Sequence, residues 1–434
     1  MNYPSWRAGL ALLSFYLAFA WPGLFLAKGT VFAATAPAAP LTLRAAIAAT
    51  LETNPELDVY SFREQAIAGM RTTASLQPPL QLNGGIEDAL GSGDLRGIHA
   101  AEFTLSLSQV VELGGQRDAR VGIAAQRIDV LQAQQRITEL DLLAQVTRRF
   151  IATAAAQEQL ALQQRATALA QQTLEVLQPL VQAGQTPASE QARATAALDR
   201  ARLAEAHART TLDAARVNLS SMWASQTPDF ESVSADLLVP GEAGDLTDIL
   251  LGIEANPDLL LFASEERLLD AQVIEAMSER RGTVQWTAGI RHLREAGDTG
   301  FVLSASMPLG TRERASGAIA TAQANLQEVE AQRSIALNQM RAQLYALHLQ
   351  LTQAILEVNT LRDAVLPQLD TALEQTRSAY LGGRYTYLEL VSAQAEYLDA
   401  ELAMINAATD VHLLRAEIEH LSGATLNSTQ ESNP

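Results

Sequence analysis

The feature that most constrains this chain is a pair of very long helix-forming runs. From Gln116 to Val181 the sequence is dominated by Ala, Gln, Leu, Arg and Glu, with Pro179 its only proline. A second run, Thr311 to Leu381, has the same character, with Pro367 late in it. At 1.5 Å of rise per residue, the first run spans roughly 100 Å. Globular helices are seldom this long. Helices of such length need lateral partners along their whole extent, as in coiled coils or helical barrels. Alanine and serine at the contacts permit close approach. The low aromatic content, 5%, fits a chain that builds no thick core.

The two runs belong to a duplication. Asn54-Pro55-Glu56-Leu57 recurs as Asn256-Pro257-Asp258-Leu259, each after an apolar-periodic segment, Leu43 to Leu51 and Leu246 to Ile253. Further along, Gly184 matches Gly383 and Glu190 matches Glu389, both at a shift of 199. The first repeat is read over 41–240 and the second over 241–423. Each runs as helix, strand pair, very long helix, break, helix. The strands are expected at 80–87 and 101–110, then at 283–291 and 300–309; the helical hairpins at 116–223 and 311–421.

The strands alternate with period two. Phe103, Leu105 and Leu107 interleave with Thr104, Ser106 and Ser108; Phe301, Leu303, Ala305 and Met307 interleave with serines. Strands of this length with one apolar and one small or hydroxyl face fit a transmembrane barrel. One layer of a soluble α+β core would show the same alternation.

Composition narrows the function. With no cysteine among 434 residues, there is no disulfide framework, thiolate metal site, thiol nucleophile or lipid-modified N-terminal cysteine. The only lysine is Lys28, which leaves no phosphate loop of the G-K-[ST] kind. A formal charge of −18 argues against nucleic acid, whose phosphates need a basic face. At the N-terminus, Arg7 precedes an uncharged run to Ala27, broken by Trp21-Pro22-Gly23, and small residues end at Val31-Phe32-Ala33. This reads as a secretory signal peptide over 1–33; an uncleaved anchor helix is the alternative. Loss of Arg7 and Lys28 takes the formal charge from −18 to −20. Residues 424–434 are expected to form a disordered tail.

With these residues in view, the chain resembles the outer-membrane factor family, the TolC-like outer membrane efflux proteins of tripartite efflux and type I secretion. The resemblance covers about Leu41 to Gly423. Within the family it is most similar to the heavy-metal efflux branch of CzcC type. The carrying residues are the strand-to-helix junction Ser106-Leu107-Ser108-Gln109-Val110-Val111-Glu112-Leu113-Gly114-Gly115-Gln116-Arg117, with Arg120 following. Its counterpart is Met307-Pro308-Leu309-Gly310 with Arg312, Arg314 and Gly317-Ala318-Ile319-Ala320. The tip Tyr380-Leu381-Gly382-Gly383-Arg384-Tyr385-Thr386-Tyr387-Leu388-Glu389 is a close match to the family's helix-turn-helix tip; the first tip, with Pro187, is looser.

The resemblance implies a mainly α fold with a transmembrane β part. A homotrimer would share an outer-membrane β-barrel, four strands per protomer, and a periplasmic α-helical barrel. The break near Phe230 to Gly244 would lie at its waist. The implied role is a passive conduit, not an enzyme and without cofactor, for heavy-metal cations delivered by an inner-membrane RND pump and a periplasmic adaptor. Multidrug efflux and type I secretion are neighbouring roles within the family. A rival of another class is a periplasmic coiled-coil adaptor, which should carry a lipoyl-like β-domain instead of two alternating strand pairs.

The resemblance also assigns roles at the tips. Glu389 would face the pore at the periplasmic constriction, and Tyr380 with Glu190 would lock the closed tip. For each glutamate, the plain alternative is a first-turn carboxylate favoured by the helix dipole. Gly184, Gly383 and Arg384 would meet the adaptor. The six histidines, His99, His207, His292, His348, His412 and His420, form no metal-binding spacing.

Overall fold

A computed structural model describes residues 39–423. The signal peptide read over 1–33 and the tail over 424–434 lie outside the described residues.

Asn54 closes helix α1 (Leu43–Thr53) and opens α2 (Pro55–Ser75). Its side-chain oxygen accepts from Glu56 N at 2.9 Å, and Pro55 fills the first helical position, where a missing N–H costs nothing. Strands β1 (Gln81–Glu87) and β2 (Glu102–Glu112) follow, then α3 (Gln116–Gln182) and α4 (Ala188–Ser220). The second repeat holds α5 (Leu246–Gly252), α6 (Pro257–Ser278), β3 (Thr283–Leu293), β4 (Asp298–Ser306), α7 (Thr311–Thr360), α8 (Leu366–Leu381) and α9 (Tyr387–Ser422). Asn256 repeats the role of Asn54, accepting from Asp258 N at 2.7 Å.

Helix α3 holds 67 residues and so runs about 100 Å. Its counterpart is not continuous. A π-helical turn at Leu361–Val365 separates α7 from α8. Pro367 accounts for it: the ring removes one N–H and crowds the carbonyl four residues back, and the widened turn absorbs both effects. Strand β4 also differs from expectation. It begins at Asp298 and ends at Ser306, three residues short of Leu309. Pro308 cannot donate to a ladder, and Gly310, at φ 78°, turns the chain into α7.

The four strands form one antiparallel sheet in the order β1-β2-β3-β4, and the β2–β3 ladder joins the repeats. Leu82, Leu107, Ala288 and Leu303 align across it, as do Leu105, Ile290 and Phe301. These side chains share one face and are exposed, Phe301 at 95% and Leu303 at 75%. Among the described residues, the outer edges of β1 and β4 are unpaired.

The main core joins the middle of α3 to the C-terminal halves of α7 and α9. Leu142, Val146 and Phe150 of α3 share one apolar cluster with Leu344, Leu351 and Val358 of α7 and Ile405, Val411 and Ile418 of α9. The seven-residue spacing in α7 is that of a coiled-coil seam. Phe230, Val233 and Leu237 cover this core from the irregular stretch after α4. That stretch is pinned by side chains that imitate backbone. Gln157 accepts from Val233 N at 2.7 Å and donates to Val233 O at 3.1 Å, while buried Arg415 donates to Pro240 O and Glu242 O.

Antiparallel α3 and α9 are also tied at four levels. Moving toward the tips, these are Asp141–His420 at 2.8 Å, Arg148–Glu417 at 3.0 Å, Arg165–Glu401 at 3.2 Å and Thr173–Gln394 at 2.9 Å. Each tie is partly exposed and individually modest. Together they fix the register of the two hairpins.

Candidate functional site at the hairpin tips and the sheet

Both tips end their first helix in the same way. In the first, Gly184 N donates to Val181 O at 3.0 Å and Gln185 N to Leu180 O at 2.9 Å; in the second, Gly383 N donates to Tyr380 O and Arg384 N to Ala379 O, both at 2.9 Å. This is the Schellman closure, which needs a left-handed residue after the last helical turn. Gly184 and Gly383 supply it, each at φ 70°.

The tips then diverge. In the second, Thr386 caps α9 through a reciprocal box: Glu389 N donates to Thr386 Oγ1 at 3.3 Å, and Thr386 N donates to Glu389 Oε2 at 2.6 Å. The Thr386 hydroxyl also lies 2.8 Å from that oxygen. The donated backbone hydrogen bond, then the hydroxyl, holds the Glu389 carboxyl below the usual glutamate value. In the first tip Pro187 occupies the cap position and has no side-chain donor or acceptor to offer. Glu190 is therefore free of capping duty, although it matches Glu389 in the repeat.

The structure does bring Glu190 toward Tyr380. A compact cluster of Leu174, Leu177, Leu198, Leu373, Tyr380, Tyr387 and Leu390 holds the two hairpins together at this end. Burial pushes the Tyr380 phenol above its ordinary pKa, and the charge of Glu190 adds to the shift. Burial does the same to Tyr387, against the nearby Arg200. The Tyr380 hydroxyl is buried without a well-formed hydrogen bond, and the Thr186 side chain opposes part of the upward shift. Gly184, Gly383 and Arg384 lie at the exposed turn, apart from this cluster.

At the far end of the molecule the junction motif has a clear geometry. Arg120 grips Glu112 with two parallel bonds, 2.6 and 3.1 Å, across the turn from β2 into α3. Such a fork fixes both distance and angle. Gly114 stands against the end of α6: a Cβ there would lie 2.0 Å from Ser278 O. The motif thus packs one repeat's strand-to-helix turn onto the other repeat's helix.

The sheet's second face holds Asn83, Thr104, Ser106, Ser108, Thr287 and Ser304. It also holds charges that the alternation left unremarked, Glu87, Glu102 and Arg291. Their positions on the polar side of period-two strands were the available signal. Thr386 was also missed as the partner of Glu389, though threonine three residues before glutamate is the capping-box pattern. The histidines take separate duties. His292 lies within β3 and contacts Thr299 at 3.1 Å, His412 faces Leu237 O at 3.0 Å, and His420 faces Asp141. Burial pushes the His412 pKa down. Among the described residues, no group of three or more His, Asp or Glu side chains is arranged to hold a metal, and no helix is long and apolar enough to cross a membrane.

Comparison with known proteins agrees with this architecture. The family model described as "Outer membrane efflux protein" matches residues 46–225. The cobalt-zinc-cadmium resistance protein CzcC of Cupriavidus metallidurans is 23% identical over 389 residues, 89% of this chain and 91% of that protein. The nickel-cobalt-cadmium resistance protein NccC of Alcaligenes xylosoxydans xylosoxydans is 27% identical over 336 residues, 74% of each chain. Among solved structures, the outer membrane protein VceC of Vibrio cholerae superposes with a TM-score of 0.67 at 18% identity, over 88% of this chain and 96% of that one. The fold is that of the TolC-like outer membrane channels. Residues 46–225 of the chain thus match the outer membrane efflux protein family, and the likeness to the resistance proteins and to the channel fold extends over most of its length.

Proposed function

We propose that this chain is the outer-membrane channel subunit of a tripartite efflux system, acting as a homotrimer that carries heavy-metal cations outward. The observation that carries this reading is the sheet: four strands, two unpaired edges and an exposed apolar face. In a bilayer, unpaired backbone groups are costly, so a sheet must close. Four strands cannot close alone. Three copies bring twelve strands, enough for a barrel with its apolar row toward lipid and its serine and threonine row toward the lumen. The long hairpins extend that lumen through the periplasm toward an adaptor and an inner-membrane RND pump. No bond is made or broken by the channel; the pump supplies the energy. Relatives named for cobalt, zinc, cadmium and nickel resistance support metal cations as the cargo.

The tips are the proposed gate. Tyr380 and Glu190 hold the two hairpins at the closed end, and Glu389 contributes an acidic charge to the constriction while capping its own helix. Gly184, Gly383 and Arg384 form the proposed adaptor contact. Tyr380→Phe combined with Glu190→Ala is expected to raise conductance in planar bilayers; unchanged conductance removes the lock.

The function is tested by deleting the gene and scoring growth on cobalt, zinc, cadmium, copper and silver beside a drug panel. Metal sensitivity is expected. Sensitivity to drugs alone moves the protein to multidrug efflux, and a soluble periplasmic monomer on fractionation overturns the channel reading.

A further inference from the structure

The end of the sheet remote from the helices carries a three-residue charge arrangement on its polar face. Glu87, the last residue of β1, pairs with Glu102, the first of β2, and Glu102 pairs with Leu293 of β3. Two residues further in on β3, Arg291 reaches back between the carboxylates. Its Nη1 donates to Glu102 Oε2 at 2.8 Å, its Nη2 lies 3.4 Å from Glu87 Oε2, and its Nε donates to Thr104 Oγ1 at 3.1 Å. One cation thus serves two anions, leaving a formal charge of −1 per chain.

The three side chains are unequally exposed. Glu102 is 19% exposed, Arg291 36% and Glu87 60%. The Arg291–Glu102 pair with Thr104 suffices to tie β2 to β3. Glu87 adds a second carboxylate, which faces solution. The adjoining turns and the start of β4 are also acidic, with Asp88, Asp94, Glu295 and Asp298 against Arg96 and Arg294, all exposed.

We propose that Arg291, Glu102 and Glu87 set the charge selectivity of the conduit at its outer mouth, with Glu87 the carboxylate in excess of the single guanidinium and Arg291 the residue that limits its effect. The inference rests on the channel reading above, which places this face toward the lumen. A ring of single charges, each beside a fixed guanidinium, favours hydrated cations without holding them, as flow requires. A charge acting across roughly 10 Å of water changes the local ion ratio about twofold, and salt above the 0.1 M range screens it.

The test uses the full chain in planar bilayers, with reversal potentials read in a potassium chloride gradient centred near 0.1 M. Arg291→Gln should raise the cation-to-anion permeability ratio at least about twofold. Glu87→Gln, which leaves the Arg291–Glu102 pair intact, should lower it by a similar factor. Both shifts should collapse near 1 M salt. Opposite signs are the discriminating result, because loosening of the mouth would move both variants the same way. Unchanged ratios, or shifts of one sign, overturn this inference and leave the channel reading standing. A wild-type protein that conducts nothing overturns that reading and this inference with it.

Discussion

Replacing Asn256 by alanine should destabilise the molecule more than the same change at Asn54, its repeat equivalent. The Asn256 side chain is fully buried and makes three hydrogen bonds. Its oxygen accepts from Asp258 N at 2.7 Å, and its amide donates to His420 O at 3.1 Å and Leu421 O at 2.9 Å. Loss of the helix cap costs about 1 kcal/mol. The two carbonyls ending α9 lose their donor in a buried setting, at about 1 kcal/mol each or somewhat more. The sum is about 3–4 kcal/mol. Asn54 accepts from Glu56 N at 2.9 Å but donates only to Met222 O, also at 2.9 Å. Its loss should cost about 2 kcal/mol. At about 2.1 cal/mol/K per residue, a chain of this described length unfolds with an entropy of about 0.8 kcal/mol/K. Asn256→Ala should therefore lower Tm by about 4–5 °C and Asn54→Ala by about 2–3 °C. Scanning calorimetry of detergent-solubilised protein at one fixed concentration reads both. Equal shifts, or the reverse order, would refute the assignment of the extra carbonyl contact to Asn256.

Three further outcomes follow from the tips and the junction. Tyr380→Phe should leave thermal stability unchanged or slightly raised, because the buried hydroxyl has no well-formed hydrogen bond to lose, whereas Tyr380→Ala should cost about 3–4 kcal/mol by opening the tip cluster. Because Thr386 depresses the Glu389 pKa, capping contributes fully above the ordinary glutamate value of 4.5 and is lost as pH falls through the lower folded value. Hydrogen exchange of the first turn of α9 should accelerate over that range in the wild type, and Thr386→Ala should abolish the dependence. Gly114→Ala forces a Cβ against Ser278 O and should cost about 1–3 kcal/mol, read as a lowered denaturation midpoint.

Much of the fold is visible in residue patterns because its elements are long and locally consistent. A 67-residue helix needs only a run of good helix formers, and period-two strands need only their alternation. The tip glycines are equally legible, since a Schellman closure calls for one residue type at one place. Shorter-range competition escaped that reading. Pro367 produced a π turn instead of ending the helix, and Pro308 ended β4 three residues early. At the tips, Glu190 and Glu389 match in sequence yet differ in role, because Thr386 caps one helix and Pro187 leaves the other uncapped.

Local propensity, then, suffices for the long helices, the alternating strands and the Asn-Pro and Gly punctuation of the two repeats. Non-local geometry decides the rest. The antiparallel register of α3 on α9 depends on partners hundreds of residues apart, such as Arg148 and Glu417. The junction between repeats depends on Gly114 meeting Ser278, and the charge balance of the sheet on Arg291 reaching Glu87 and Glu102. Backbone preference acts over a few residues, whereas these contacts exist only once the sheet has brought the two halves of the chain side by side.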